Sequence, residues 1–146
     1  MEAIPKRILD FVGKHHVFTL SSSSKNIPYS CSCFYSFQKD IPRFIFTSDE
    51  TTRHGQELLS NNTAAGNIVL ETETIGKIQG IQFTGTVKQI IDKKAFNIAR
   101  KLYLKRFPYA VFSIRELWGF EAGFIKMTDN RLGFGKKTIW EKKTIQ

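Results

Sequence analysis

Apolar residues recur at helical spacing near the start of the chain. Ile4, Ile8, Phe11 and Val12 share one face, Pro5 suits a first helical turn, and the pattern predicts a helix ending near Gly13. Strand-like alternation follows. HVFTLSSS reads as a first strand and SSSSKN as a polar turn. IPYSCSCFYSF is a second strand, with Ile27, Tyr29, Cys31, Cys33, Tyr35 and Phe37 on one face. PRFIFTS is a third, and the succession of strands and turns suggests an antiparallel meander.

The stretch FIFTSDETTRHGQELLSNN then supplies a short helix over residues 52–59, closed by Asn61 and Asn62. AAGNIVLETE and the longer KIQGIQFTGTVKQII follow as strands. Gly80 and Gly85 in the latter read as bulge or bend positions of the kind a barrel uses to turn corners. Residues 92–107 form the clearest helix. Phe96, Ala99, Tyr103 and Phe107 hold one face of it, Lys94, Lys101 and Lys105 the opposite one, and Pro108 stops it. LWGFEAGFIKMTD and KTIWEKK close the pattern as strands. Six or seven strands with three helices, without a linker or repeat, make one mainly β (α+β) domain over residues 1–146 with a barrel-like sheet.

Composition sharpens this picture. A chain of 146 residues suits one domain, 41% hydrophobic residues can bury a core, and thirteen Phe make that core ring-rich, which favours a sheet over a helix bundle. The net charge of +9 invites a nucleic-acid partner, but the basic residues are dispersed, with short clusters such as Lys136-Lys137 and Lys142-Lys143. The same charge suits a small anionic ligand. No apolar run is long enough to span a membrane, and no basic segment followed by an apolar one opens the chain, so a cytoplasmic protein with reduced thiols is expected. Asn61-Asn62-Thr63 matches a glycosylation sequon and is read as chance without a secretory signal.

Four stretches carry candidate chemistry. At the start of the second helix, Thr51 or Thr52 can cap, Arg53 can fork onto phosphate oxygens and His54 can add a donor, beside helix N–H groups that favour an anion. A plain capped helix with solvated Arg and His explains the same residues. In GIQFTG, Gln82 can both donate to and accept from the edge of a planar heterocycle, or be an ordinary half-exposed strand residue. NRLGFGKKTIW hints at a phosphate-binding loop, but Asn130 stands where its first glycine belongs and Lys137 where a hydroxyl is required. A glycine-rich turn with Arg131, Lys136 and Lys137 on an anionic rim is the better account. Cys31 and Cys33 share a strand face where disulfide geometry is poor, and with three His elsewhere they make no zinc set, so no metal is expected. His15 and His16 point to opposite faces if they open a strand, one core-packed and one solvated.

Taken together, Thr52-Arg53-His54, Gly80-Ile81-Gln82-Phe83-Thr84-Gly85, Ala99-Arg100-Lys101 with Arg106-Phe107-Pro108, and the closing segment 128–137 with Ile139-Trp140 resemble the YhbP-like family of small uncharacterised bacterial proteins. The match keeps order and spacing through nearly the whole chain. That family looks like a branch of the pyridoxamine 5'-phosphate oxidase-like split barrels. The resemblance implies a six-stranded antiparallel Greek-key split barrel with flanking helices, and a homodimer with FMN in two clefts at the subunit interface. It also implies where the cofactor lies. Thr52, Arg53 and His54 receive the FMN phosphate; Ser32, Cys33 and Phe34 approach the ring system; Thr47, Ser48 and Gln82 line it, and Trp118 walls it from the partner subunit.

Two positions depart from the family pattern. Arg53 is followed by His54 where many relatives carry Lys, and Ser30-Cys31-Ser32-Cys33 has no basic residue. Both lower the charge offered to a phosphate dianion. The function implied is a flavin-dependent oxidoreductase or flavin reductase of unspecified substrate, with no catalytic residue assigned. The alternative is a non-catalytic module for flavin, haem or another anionic heterocycle, with nucleic-acid binding further behind.

Overall fold

The computed structural model describes residues 3–143 and is built around one curled antiparallel sheet. Helix α1 (Lys6–Lys14) leads into strands β1 (Val17–Ser24), β2 (Ile27–Phe34), β3 (Ser36–Gln38) and β4 (Arg43–Thr47). Helix α2 (Arg53–Ser60), β5 (Thr63–Leu70), β6 (Gln79–Gln89), α3 (Lys93–Arg106), β7 (Leu117–Asp129) and β8 (Lys137–Glu141) complete the chain. The strand order is β2-β1-β5-β6-β7-β4-β3, with β8 added beside β7.

This is the expected mainly β split barrel with flanking helices, but with eight strand segments instead of six. The chief reason lies at Tyr35. The sequence reads 27–37 as one strand, yet β2 pairs with β1 at one end of the sheet path and β3 pairs with β4 at the other. Tyr35, whose N–H donates to the His16 carbonyl, is the single residue between them, so this one extended segment joins both ends of the path and closes the curl.

The β1–β2 hairpin is closed by Lys25 and Asn26, both in the left-handed region (φ +51° and +61°), the pattern of a two-residue type I′ turn matched to strand twist. Inside the curl, alternate residues of each strand form a ring-rich core. Phe18 lies at its centre against Tyr35, Phe44, Phe46, Phe83 and Phe120, and Phe44 stacks on Phe83 with centroids 4.3 Å apart. Two glycines permit the closest approaches. A Cβ on Gly66 would stand 2.5 Å from the Phe83 ring, and one on Gly85 would stand 1.9 Å from the Glu121 carbonyl oxygen. Gly85 sits at a register shift between β6 and β7, the bulge its position suggested; Gly80 keeps regular pairing.

Helix α3 packs outside the curl through Ala99 and Tyr103, forming a second core with Ile45, Ile90 and Leu117. Its lysine-bearing side stays exposed, as the periodicity requires. Helix α1 buries Ile8, Phe11 and Val12, and the Tyr35 hydroxyl donates to the Val12 carbonyl at 2.7 Å. Arg106, at the end of α3, donates to the carbonyls of Gly13, His15 and Tyr35 and so holds the α1–β1 joint. That joint corrects the placement of the two histidines. β1 begins at Val17, so neither opens a strand; His15 is half-buried with its ring 4.2 Å from Phe11, and His16 is exposed. Among the described residues, no helix is long and apolar enough to cross a membrane.

Candidate functional site

The end of β4 and the start of α2 form one hydrogen-bonded unit. Thr52 caps the helix: its hydroxyl accepts from the Gly55 N–H at 3.1 Å and donates to the Asp49 carbonyl at 2.7 Å. A Cβ on Gly55 would meet that same carbonyl at 2.6 Å, so glycine lets the helix start fold tightly onto the preceding turn. With Gly55 satisfied by the cap, the Arg53 and His54 amides are the first-turn donors that have no intrahelical acceptor.

Around that start the expected residues converge. The Ser48 hydroxyl lies 2.6 Å from His54 Nε2, and the Thr52 hydroxyl 3.3 Å from the same nitrogen. Trp118 Nε1 donates to the Ser48 carbonyl, and the Thr47 hydroxyl donates to the Glu116 carbonyl. Burial lowers the His54 pKa below its ordinary value, against a smaller opposing pull from Glu57, so the ring is neutral at pH 7. His54 therefore brings a hydrogen-bonding nitrogen to this place, not a resident charge.

Arg53 is the cation of the set, and it is partly engaged. Its Nε donates to Glu57 at 3.1 Å, and its guanidinium lies 4.2 Å over the Tyr29 ring. Glu57 also accepts from the Ser22 hydroxyl at 2.6 Å, and these two donors, Ser22 first, hold its carboxyl below the ordinary range. The side chain of Arg53 remains half exposed. The local balance is thus Arg53 against Glu57, with three further carboxylates at the same helix entry: Asp49, which accepts from Thr51, and Glu50 and Glu116, which both accept from Gln89.

The remaining expected residues lie elsewhere. Ser32 and Gln82 share the outer face of the sheet, in one cross-strand row that runs Ser32, Thr19, Asn67, Gln82, Lys126. Beside it Ser21, Ala65, Asn67, Gln82, Thr84 and Phe124 line a shallow concavity of about 350 Å³. Phe34 is exposed at the end of β2 with its ring 5.5 Å from Phe107. Cys33 points the other way, into the core, and Trp118 is buried as well, stacked on Phe46. The structure therefore groups Thr47, Ser48, Thr52, His54 and Trp118, turns Arg53 to their flank, and sets Ser32 with Gln82 on a separate surface.

Sequence reading did not pick out Thr19, Ser21 and Asn67 beside Gln82, nor Ser22, Tyr29 and Glu57 around Arg53. Asn67 carried a signal, as an amide inside the otherwise apolar AAGNIVL. The two cysteines are free thiols with sulfurs 3.9 Å apart on the inner face of β2. The hydrogen bond between them lowers the Cys31 pKa and, with burial, pushes the Cys33 thiol up. No group of three or more His, Cys, Asp and Glu side chains placed to hold a metal ion occurs among the described residues.

Comparison with known proteins gives a consistent family. A UPF0306 protein of Photorhabdus laumondii is 36% identical over 132 residues, 90% of this chain and 92% of the relative. A UPF0306 protein of Pasteurella multocida is 31% identical over 140 residues, 96% of this chain and 93% of the relative. No protein-family model matches the chain. Among solved structures, a haem-binding protein from Mycobacterium smegmatis superposes with a TM-score of 0.74 at 15% identity, covering 88% of this chain and about half (54%) of that protein. A NimC/NimA family protein from Clostridium acetobutylicum gives 0.71 at 17% identity over 94% of this chain and 91% of its own. An FAD-binding protein from Mesorhizobium loti gives 0.70 at 8% identity over 85% and 93%. At these identities the likeness establishes the shared fold.

Proposed function

The chain belongs to the UPF0306 protein family, and from that premise we propose that it is a flavin-binding split-barrel protein that takes FMN, acts as a homodimer, and serves an oxidoreductase or flavin reductase reaction. The observation that carries the reading is the Thr52-capped start of α2, where the Arg53 guanidinium and the Ser48–His54 pair stand beside the Arg53 and His54 amides, with the Thr52 hydroxyl committed to the cap. The donor set fits a phosphate monoester. Arg53 supplies the charge, and Glu57 beside it weakens that charge without removing it.

When bound, FMN supplies hydride and electron transfer, and the protein's part is to bind and orient it. In this reading the α2 start fixes the phosphate, with Ser48 held in place by its carbonyl bond to Trp118. Gln82, on the outer sheet face, offers its amide to a polar ring edge. The homodimer brings that face into the cleft. Support comes from the chemistry of these groups and from structural neighbours that include an FAD-binding protein.

Titration of the purified protein with FMN tests the proposal. Flavin fluorescence should quench, the melting temperature should rise, and Arg53→Ala should weaken binding at least tenfold. Sedimentation should give a dimer. Absence of both quenching and thermal shift at saturating FMN refutes it.

One observation favours a second reading, a haem-binding module without catalysis. His16 is exposed and lies 6.1 Å from the Phe107 ring, which also meets the exposed Phe34, so an imidazole and apolar ring surface stand together. The Mycobacterium smegmatis neighbour is itself a haem-binding protein. A Soret shift on haem addition that disappears in His16→Ala would support this reading, and an unchanged spectrum would remove it.

A further inference from the structure

The family resemblance set Cys33 beside the flavin ring, but its side chain turns into the core, and the proposed flavin site does not use the thiol pair on β2. Cys31 and Cys33 lie two residues apart on one face of the strand, both reduced, with Sγ to Sγ at 3.9 Å. A disulfide needs its sulfurs at about 2.05 Å and its Cα atoms no more than about 6.8 Å apart. Two residues of extended strand span about 6.6–6.8 Å, at the upper edge of that range, and the sulfurs would still have to close from 3.9 Å to about 2.05 Å. A metal ion asks for much less movement. With metal–thiolate bonds of about 2.3 Å, two corners of a tetrahedral centre stand about 3.8 Å apart and two corners of a trigonal one about 4.0 Å. The observed separation falls between these two values.

We propose that Cys31 and Cys33 form a two-thiolate clip for a soft, thiophilic cation of the Cu(I) class. The choice of ion follows from what surrounds the pair. No third His, Cys, Asp or Glu joins them among the described residues, so the four-coordinate shell that zinc prefers is not supplied. Thiolates alone select soft ions, which accept two or three ligands. Two corners come from the protein, and a small thiolate from solution completes a trigonal site. Binding exchanges the two thiol protons for the ion, with no change of oxidation state. The pair is placed to receive it. Cys31 is half-buried, Cys33 is 8% exposed, and β2 is the terminal strand of the sheet path, pairing only with β1. An ion reaches Cys31 first and settles against Cys33 at the margin of the apolar core.

The test is an anaerobic titration of the reduced protein with Cu(I) held by a chromogenic chelator, with a small thiol present. The protein should withdraw one copper per chain from the chelator and gain a thiolate-to-copper charge-transfer absorbance. Cys31→Ser should weaken that withdrawal at least 100-fold while keeping the native circular dichroism. Cys33→Ala, which leaves no buried hydroxyl, should do the same. Failure of the wild-type protein to compete with the chelator overturns the proposal, as does unchanged copper binding in either variant. Ready closure of the pair to an intramolecular disulfide, with no copper withdrawn by the reduced form, also overturns it. None of these outcomes depends on flavin.

Discussion

Replacing Phe18 by alanine tests the central claim about what holds the barrel together. The side chain is fully buried (0% exposed), and five aromatic rings surround it at centroid distances of 5.6 to 6.2 Å. An aromatic residue buries about 150–250 Å², which at about 25 cal/mol per Å² amounts to about 4–6 kcal/mol. The unfolded chain already hides part of that area, which brings the loss to about 3–5 kcal/mol, in line with measured Phe→Ala substitutions in cores. For a domain of this length the melting temperature should fall by about 10–20 °C. Thermal melts by circular dichroism, with urea titrations alongside, provide the measurement. Phe112→Ala is the control: that ring is 97% exposed and its loss should cost less than about 0.5 kcal/mol. If Phe18→Ala moved the melting temperature by no more than Phe112→Ala, the ring cluster would not be the stabilising core.

Three further outcomes follow from specific contacts. Gly85→Ala places a methyl 1.9 Å from the Glu121 carbonyl oxygen, so the β6–β7 bulge must open at a cost of about 1–3 kcal/mol or more; Gly13→Ala, with nothing within 4 Å and a helical position, should instead stabilise by up to about 1 kcal/mol, and urea midpoints separate the two. His15 and His54 both have folded pKa values below 6.5, so the unfolded chain binds protons more readily there; stability is complete above pH 6.5 and declines as pH falls through the window beneath it. Asp129, held low by Arg131, adds a second loss below about pH 4, and His54→Asn should shrink the upper step to the His15 share while leaving the lower one unchanged in pH-dependent melts. Glu57→Gln removes the carboxylate that competes for Arg53, and FMN should then bind about two- to threefold more tightly by fluorescence titration.

Much of the fold is legible in the chain. The thirteen residues of β7 stand where LWGFEAGFIKMTD placed them, because both ends are marked and the apolar run is long. The faces of α3 follow directly from its periodicity. What escaped depends on pairing across distance. Nothing local marks Tyr35 as the residue where one strand leaves its first partner and takes another, since the alternation continues through it. The cap at Thr52 is local chemistry and could be read, as could the neighbouring Arg53 and His54. The row from Ser32 to Gln82 could not, because its members come from four strands whose register is fixed only when the sheet forms. Alternation alone already set Cys33 on the inner face with Tyr35, in tension with a surface role beside Ser32.

The grip of Arg106 on the α1–β1 joint bears on the order in which the chain assembles. Its guanidinium reaches back 93 residues to Gly13 and 91 to His15, while the Tyr35 hydroxyl that steadies Val12 sits in a segment that must itself reach both ends of the sheet path. During synthesis from the N-terminus, the first helix emerges long before the residue that clamps its end, and contacts at such separation form late. Helix α1 is therefore a late-docking piece despite being made first. Nascent chains that stop short of residue 106 should leave it open to protease, and chains that extend past β7 should protect it.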